Sequence, residues 1–155
     1  MEFLIVKKIV IATSSVLLLF SAATASADKK VKFENDAQLQ EVIKVGSKWE
    51  CKWKHTPPAT TSGTKTYTYE TVSLNKITAK VVNSYCPDSV GAIESNYKKG
   101  KLHGVLTQSE PCNDTTKGHY KVYEKKDGSF YMKGPYSFKW TDGNTYKGNA
   151  TCHPK

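Results

Sequence analysis

The sequence predicts a mainly β protein, a single small antiparallel β-barrel or sandwich of about eight strands with one short N-terminal helix and two disulfides. Three observations predict it. Rings alternate with lysines at a period of two, turn dipeptides recur at close spacing, and the four cysteines form no Cys-x-x-Cys pair.

The chain opens with Met1, Glu2 and Phe3, a Lys7 and Lys8 pair, an apolar stretch over 9–20 and the small exit Ala25, Ser26 and Ala27. A charged start, a short apolar core and an A-x-A exit make a secretory signal, so cleavage after Ala27 is expected. The stretch is shorter than the ~20 apolar residues that cross a bilayer. No cysteine follows it as a lipoprotein anchor would require. The protein is therefore expected not to span a membrane and to be secreted or periplasmic. Residues 28–155, 128 of the 155, form one disulfide-stapled domain in this reading, enough for one core.

Helical spacing occurs once, over 33–45, where Phe33, Leu39, Val42 and Ile43 share a face. Asn35 or Asp36 can cap its start, and Gly46 ends it. The period then changes to two. Trp49, Cys51 and Trp53 alternate with Lys48, Glu50, Lys52 and Lys54, a strand that buries indoles and turns charge to water. A loop over 55–63 holds Pro57 and Pro58. Residues 64–74 and 77–82 form a hairpin about Asn75 and Lys76. Strands follow near 93–97 and 102–107, then a loop over 111–118. The C-terminal third reads as a meander of four strands, with turns at Asp127-Gly128, Gly134-Pro135 and Asp142-Gly143.

All four cysteines lie beyond the leader, which in an exported chain reads as two bridges. Sequence alone allows three connectivities. Cys51 with Cys152, joining the first strand to the last, and Cys86 with Cys112 are expected. The first pairing favours a barrel over a sandwich, because it closes the sheet and removes both edges.

Two stretches, 97–104 and 134–148, resemble MORN-type hairpin repeats, which stack hairpins as lipid or protein contact surfaces. They cover little of the chain and are read as hairpin chemistry. The helix leading into Gly46, Ser47, Lys48 and Trp49 resembles the start of a calycin, the superfamily of lipocalins and avidins. The chain has Gly-x-x-Trp where those families have Gly-x-Trp, and no arginine for the last strand. The plan of an exported, disulfide-held barrel is also similar to that of small periplasmic lysozyme inhibitors, without their motif residues.

Without Lys7, Lys8 and Glu2 of the leader, 21 of the 23 basic and 13 of the 14 acidic residues remain, a net charge of +8. Every basic residue is lysine. The missing arginine fork argues against sequence-specific nucleic-acid recognition, while a lysine field suits an envelope glycan, lipid or acidic protein partner. The oligomeric state is open.

No catalytic, cofactor or metal motif is present. His55, His103, His119 and His153 stand singly and are expected at exposed or hairpin-flanking positions, so no metal or cofactor is assigned. Glu50, Glu70, Glu94, Glu110 and Glu124 alternate with lysines on outer faces. Aromatic rows are what remains: Trp49 and Trp53, Tyr67 and Tyr69, and Tyr136, Phe138 and Trp140. If some line a barrel mouth they form a platform for a ring or a partner side chain. The expected function is non-enzymatic binding of a glycan, lipid or anionic ligand on these rings and lysines. Inhibition of a secreted hydrolase through loops 55–63 and 111–118 is the alternative, and a small secreted enzyme the third.

Overall fold

Alternation along the strands decides the architecture. The structure, a computed structural model, describes residues 27–155, so residues 1–26 of the expected leader lie outside the described residues. In order the elements are β1 (Lys29–Lys30), α1 (Asp36–Val42), β2 (Lys48–His55), β3 (Ser62–Val72), β4 (Ile77–Asn83), β5 (Cys86–Lys98), β6 (Lys101–Gln108), β7 (Thr115–Glu124), β8 (Phe130–Lys139) and β9 (Thr145–Pro154). On β2 the buried positions are Trp49, Cys51, Trp53 and His55, every second residue, as a strand with one wet face requires.

From β2 to β9 each strand pairs antiparallel with the next, and β9 pairs back with β2. The eight strands close into an up-and-down barrel, and the two-residue β1 adds outside β7. Closure leaves no long free edge among the described strands. The seam carries the bridge: Cys51 stands opposite Cys152 in the β2–β9 register, and the two are joined. Cys86 is joined to Cys112, which ties the start of β5 to the β6–β7 loop. No helix among the described residues is long and apolar enough to cross a membrane.

The helix closes one end. Asn35 caps it by accepting from the Gln38 N–H at 3.0 Å, and Leu39 and Ile43 are fully buried against Trp49, Tyr69 and Ile77 of the core. Burying each such aliphatic side chain contributes roughly 1.5–3 kcal/mol. Gly46, at φ +79°, then turns the chain from helix to strand without a Cβ penalty. The opposite end is ringed by the β2–β3, β4–β5, β6–β7 and β8–β9 connections, with no helix across it.

The structure corrects the expected meander. Gly134 and Pro135 form no turn but lie within one continuous strand, β8. The β7–β8 ladder is interrupted here with its register unchanged, leaving His119 and Tyr120 unpaired with β8. A Cβ on Gly134 would run into the His119 carbonyl, and Pro135, which lacks an N–H, sits where that ladder is interrupted. The C-terminal third therefore holds three strands instead of four. The helix is shorter than 33–45, and β5 reaches back to Cys86 across residues whose polar composition hid it. The two MORN-like stretches fall on the β5–β6 and β8–β9 hairpins.

Candidate functional site

The helix-free end of the barrel is where polar side chains turn inward. The inward rows of β2, β3, β4 and β7 end in His55, Lys65, Asn83 and Thr116, all buried. Gln108 ends β6, and Asp114 precedes β7. Below them the interior is apolar, with Val81, Leu106, Val122 and Met132.

A cavity of about 220 Å³ opens into this layer, lined among others by Trp53, His55, Lys65, Tyr136, Phe138 and Trp140. Trp53, Tyr136 and Ala150 form a second apolar cluster with Phe138 against it. His55 is enclosed by rings, its centroid 5.1 Å from Trp53, 5.7 Å from Tyr136, 5.8 Å from Phe138 and 5.3 Å from Tyr146. Tyr85 and Trp140 meet edge to face at 5.7 Å on the rim, with Tyr85 largely exposed. Gly63 makes the wall possible: a Cβ there would lie 2.6 Å from the Trp53 ring.

Lys65 crosses the interior from β3 and donates to the Thr116 hydroxyl on β7 at 3.1 Å. Its ammonium lies 5.9 Å from the Phe138 ring centre. The ion pairs of the described residues, Lys80 with Glu70 and Lys155 with Glu50, lie elsewhere. Burial lowers the Lys65 pKa to about 8, against the pull of the Asp114 charge, which acts from beyond ion-pair distance. The Asp114 carboxyl is pushed up by its own burial, opposed by Lys65. His55 is pushed down by burial and by Lys65, while a hydrogen bond to the Lys147 carbonyl works the other way. The imidazole is thus neutral near pH 7, and its Nδ1 shares a hydrogen bond of 3.0 Å with the Tyr136 hydroxyl. Burial also raises the Tyr136 pKa, which keeps that hydroxyl protonated.

Asn83 donates to Gln108 at 3.0 Å, but Gln108 Nε2, Asp114 Oδ1 and Trp53 Nε1 are buried without a hydrogen-bond partner. Such groups are rare in folded proteins, because each costs roughly 1–3 kcal/mol. All three lie toward the helix-free end of the barrel.

No family model, curated protein or solved structure matches the chain.

The seven aromatic residues expected to bind do not form one surface. Trp53, Tyr136, Phe138 and Trp140 gather at the mouth. Trp49, Tyr67 and Tyr69 are core residues at the helix end, 1%, 6% and 7% exposed, because the inward rows of β2 and β3 run down the full barrel. His55 is also corrected, from an exposed or flanking position to a buried one. It is in phase with Trp49, Cys51 and Trp53, a signal the sequence carried. Lys65, in phase with Tyr67 and Tyr69, carried the same signal. On the outer wall His103 and His119 meet Nδ1 to Nδ1 at 2.8 Å. Among the described residues no three His, Cys, Asp or Glu side chains group as metal ligands do.

Proposed function

We propose that the chain is an exported, non-enzymatic binding protein whose barrel mouth holds one small ring-bearing ligand that presents an oxygen acceptor. The observation that carries this reading is the Trp53 indole N–H, buried and unpartnered in the wall of an aromatic cavity that also holds the Lys65 ammonium. A carboxylate, carbonyl or sugar hydroxyl would satisfy such donors. Size narrows the class. A cavity of about 220 Å³ exceeds the ~150 Å³ that holds a benzene and falls below the roughly 300–1,000 Å³ of drug-sized pockets. A single aromatic or sugar ring fits; a lipid chain would leave most of its length in water. Two disulfides and the secretory pattern of the first residues support a site outside the cytoplasm.

Titration of the oxidised protein with 4-hydroxybenzoate and with glucuronate, followed by tryptophan fluorescence, tests the reading. Saturable one-to-one binding by either, weakened about tenfold or more by Trp140→Ala, is expected from losing one rim ring and its packing. No saturation with either probe, or binding indifferent to both Trp140→Ala and Lys65→Met, would overturn it.

A further inference from the structure

We infer that Lys65 is a nucleophilic amine, and that the mouth captures a small ring-bearing aldehyde on it as an imine. This deepens the binding reading and rests on it, by naming the oxygen acceptor as a carbonyl that goes on to react.

The geometry of Lys65 differs from that of a structural lysine. It is 7% exposed, yet it lines the cavity beside Phe138 and so faces whatever enters there. Its one hydrogen bond within the protein goes to a neutral hydroxyl, that of Thr116. A buried lysine held for packing or charge is normally matched by a carboxylate, which locks it as ammonium. Here the nearest influence of that kind, Asp114, stands outside ion-pair distance. Aromatic walls lower the local polarity and favour the uncharged amine, the form that attacks carbonyls. The lowered pKa agrees: at pH 8 about half of Lys65 is free amine, against about one in 300 of an ordinary lysine.

The step balances without a further reagent. The Nζ lone pair adds to the carbonyl carbon, and a proton passes from nitrogen to oxygen to give a carbinolamine. The remaining N–H proton passes to that oxygen, the C–O bond breaks and water leaves while the C=N bond forms. One aldehyde and one amine give one imine and one water, reversibly. Of the titratable groups around the amine, His55 and Tyr136 are uncharged at this pH and do not repel the entering carbonyl, and the carboxyl groups are Asp142, in the cavity lining, and Asp114, beyond ion-pair distance.

The test uses 4-hydroxybenzaldehyde with sodium cyanoborohydride at pH 8 on the intact oxidised protein, followed by peptide mapping. Hydride reduction turns the imine into a stable secondary amine bearing one hydroxybenzyl group. Lys65 is expected to be labelled at least about tenfold faster than the average of the other lysines, the gain in free amine being partly offset by lower nucleophilicity. The preference should vanish in denaturant, and 4-hydroxybenzoate, which has the same ring but forms no imine, should slow it. Lys65→Arg, which keeps a cation but no reactive amine, should lose the fast site while the surface lysines react as before. Labelling spread evenly over the lysines of the folded protein overturns the inference. If that happens while 4-hydroxybenzoate or glucuronate still binds saturably, the binding reading stands and only the imine falls; if labelling is even and neither probe binds, both fall.

Discussion

The Tyr136 hydroxyl reaches His55 Nδ1 across an intervening strand, passing over Gly148 in a hydrogen bond of 3.0 Å. Gly148 lies on β9, paired with His55 on one side and Tyr136 on the other. A Cβ on Gly148 would lie 2.5 Å from the Tyr136 oxygen and would also strike the Lys54 carbonyl. The missing side chain is thus what allows the two groups to meet.

Gly148→Ala is therefore expected to destabilise the barrel by about 1–3 kcal/mol, the usual cost of overpacking, and to displace Tyr136 from His55. Urea unfolding measures the first effect. The second appears as a rise in the His55 pKa toward its ordinary 6.5 on NMR titration, as movement of Tyr136 admits water to the ring. An unchanged midpoint would show that β9 shifts to accept the methyl.

The buried amine sets the pH dependence of stability. Lys65 falls from 10.5 unfolded to about 8 folded. Between these values the folded chain has released a proton that the unfolded chain still holds, so unfolding takes up a proton and stability rises with pH. Below pH 8 the full cost is present, about 3 kcal/mol for such a shift. Tyr67, Tyr69 and Tyr120 act oppositely, since burial raises their pKa values and stability falls once unfolded tyrosines ionise above pH 10. Asp114, also facing Lys65, is raised and weighs only in acid, where His55, lowered, costs stability as pH drops below 6.5. Melting temperature should rise from pH 7.5 to about 9.5 and decline beyond. Lys65→Met should flatten that rise and stabilise the protein at pH 7 by up to about 3 kcal/mol, less the lost hydrogen bond to Thr116. A less stable variant at pH 7 would mean that the ammonium finds better solvation than its burial implies.

Much of this was legible in the residues. The Trp49, Cys51, Trp53 row predicts a sheet with one buried face, which suits a barrel or a sandwich, and the expected Cys51–Cys152 pairing tipped the reading toward the closed barrel found. The site was harder to read for a physical reason. Lys65 and His55 extend inward rows past the point where residues remain apolar, and a polar residue in phase with rings reads as the end of the strand. What keeps them inside is closure, which brings Thr116 of β7 across from β3 and Tyr136 across β9. Local periodicity carries no information about partners 51 and 81 residues away. Gly134-Pro135 failed in the opposite direction, since a strong turn dipeptide is overridden where it stays paired with Ala150 and Asn149 on β9 and only the ladder to β7 is interrupted.

The two bridges should differ in worth. Cys51 and Cys152 are 101 residues apart, whereas Cys86 and Cys112 are 26 apart. Chain-entropy arithmetic gives about 5 kcal/mol for the first and about 3.5 kcal/mol for the second. The paired substitution of Cys51 and Cys152 by alanine should therefore lower the urea midpoint more than that of Cys86 and Cys112. The second pair, which holds the β6–β7 loop at the mouth, should instead cost more in 4-hydroxybenzoate binding. A reversed order of midpoints would show that the seam stays zipped by its β2–β9 hydrogen bonds even in the denatured ensemble.

Quenching separates the three indoles. Trp49 and Trp53 are 1% and 8% exposed, whereas Trp140 is half-buried on the rim. Iodide, a hydrated anion, should reach Trp140 alone, and Trp140→Ala should abolish most of the quenchable emission without unfolding the barrel. Trp49→Ala should cost about 3–5 kcal/mol, because it leaves a cavity at the helix-capped end where Leu39 and Ile43 pack. Trp53→Phe distinguishes wall from core: it keeps a ring over Gly63 but removes the unpartnered N–H. Stability should hold or rise, since a buried donor without an acceptor is destabilising, while affinity for an acceptor-bearing ring falls. Loss of stability with affinity unchanged would place the Trp53 N–H in the fold's own hydrogen bonding and take it out of the binding site.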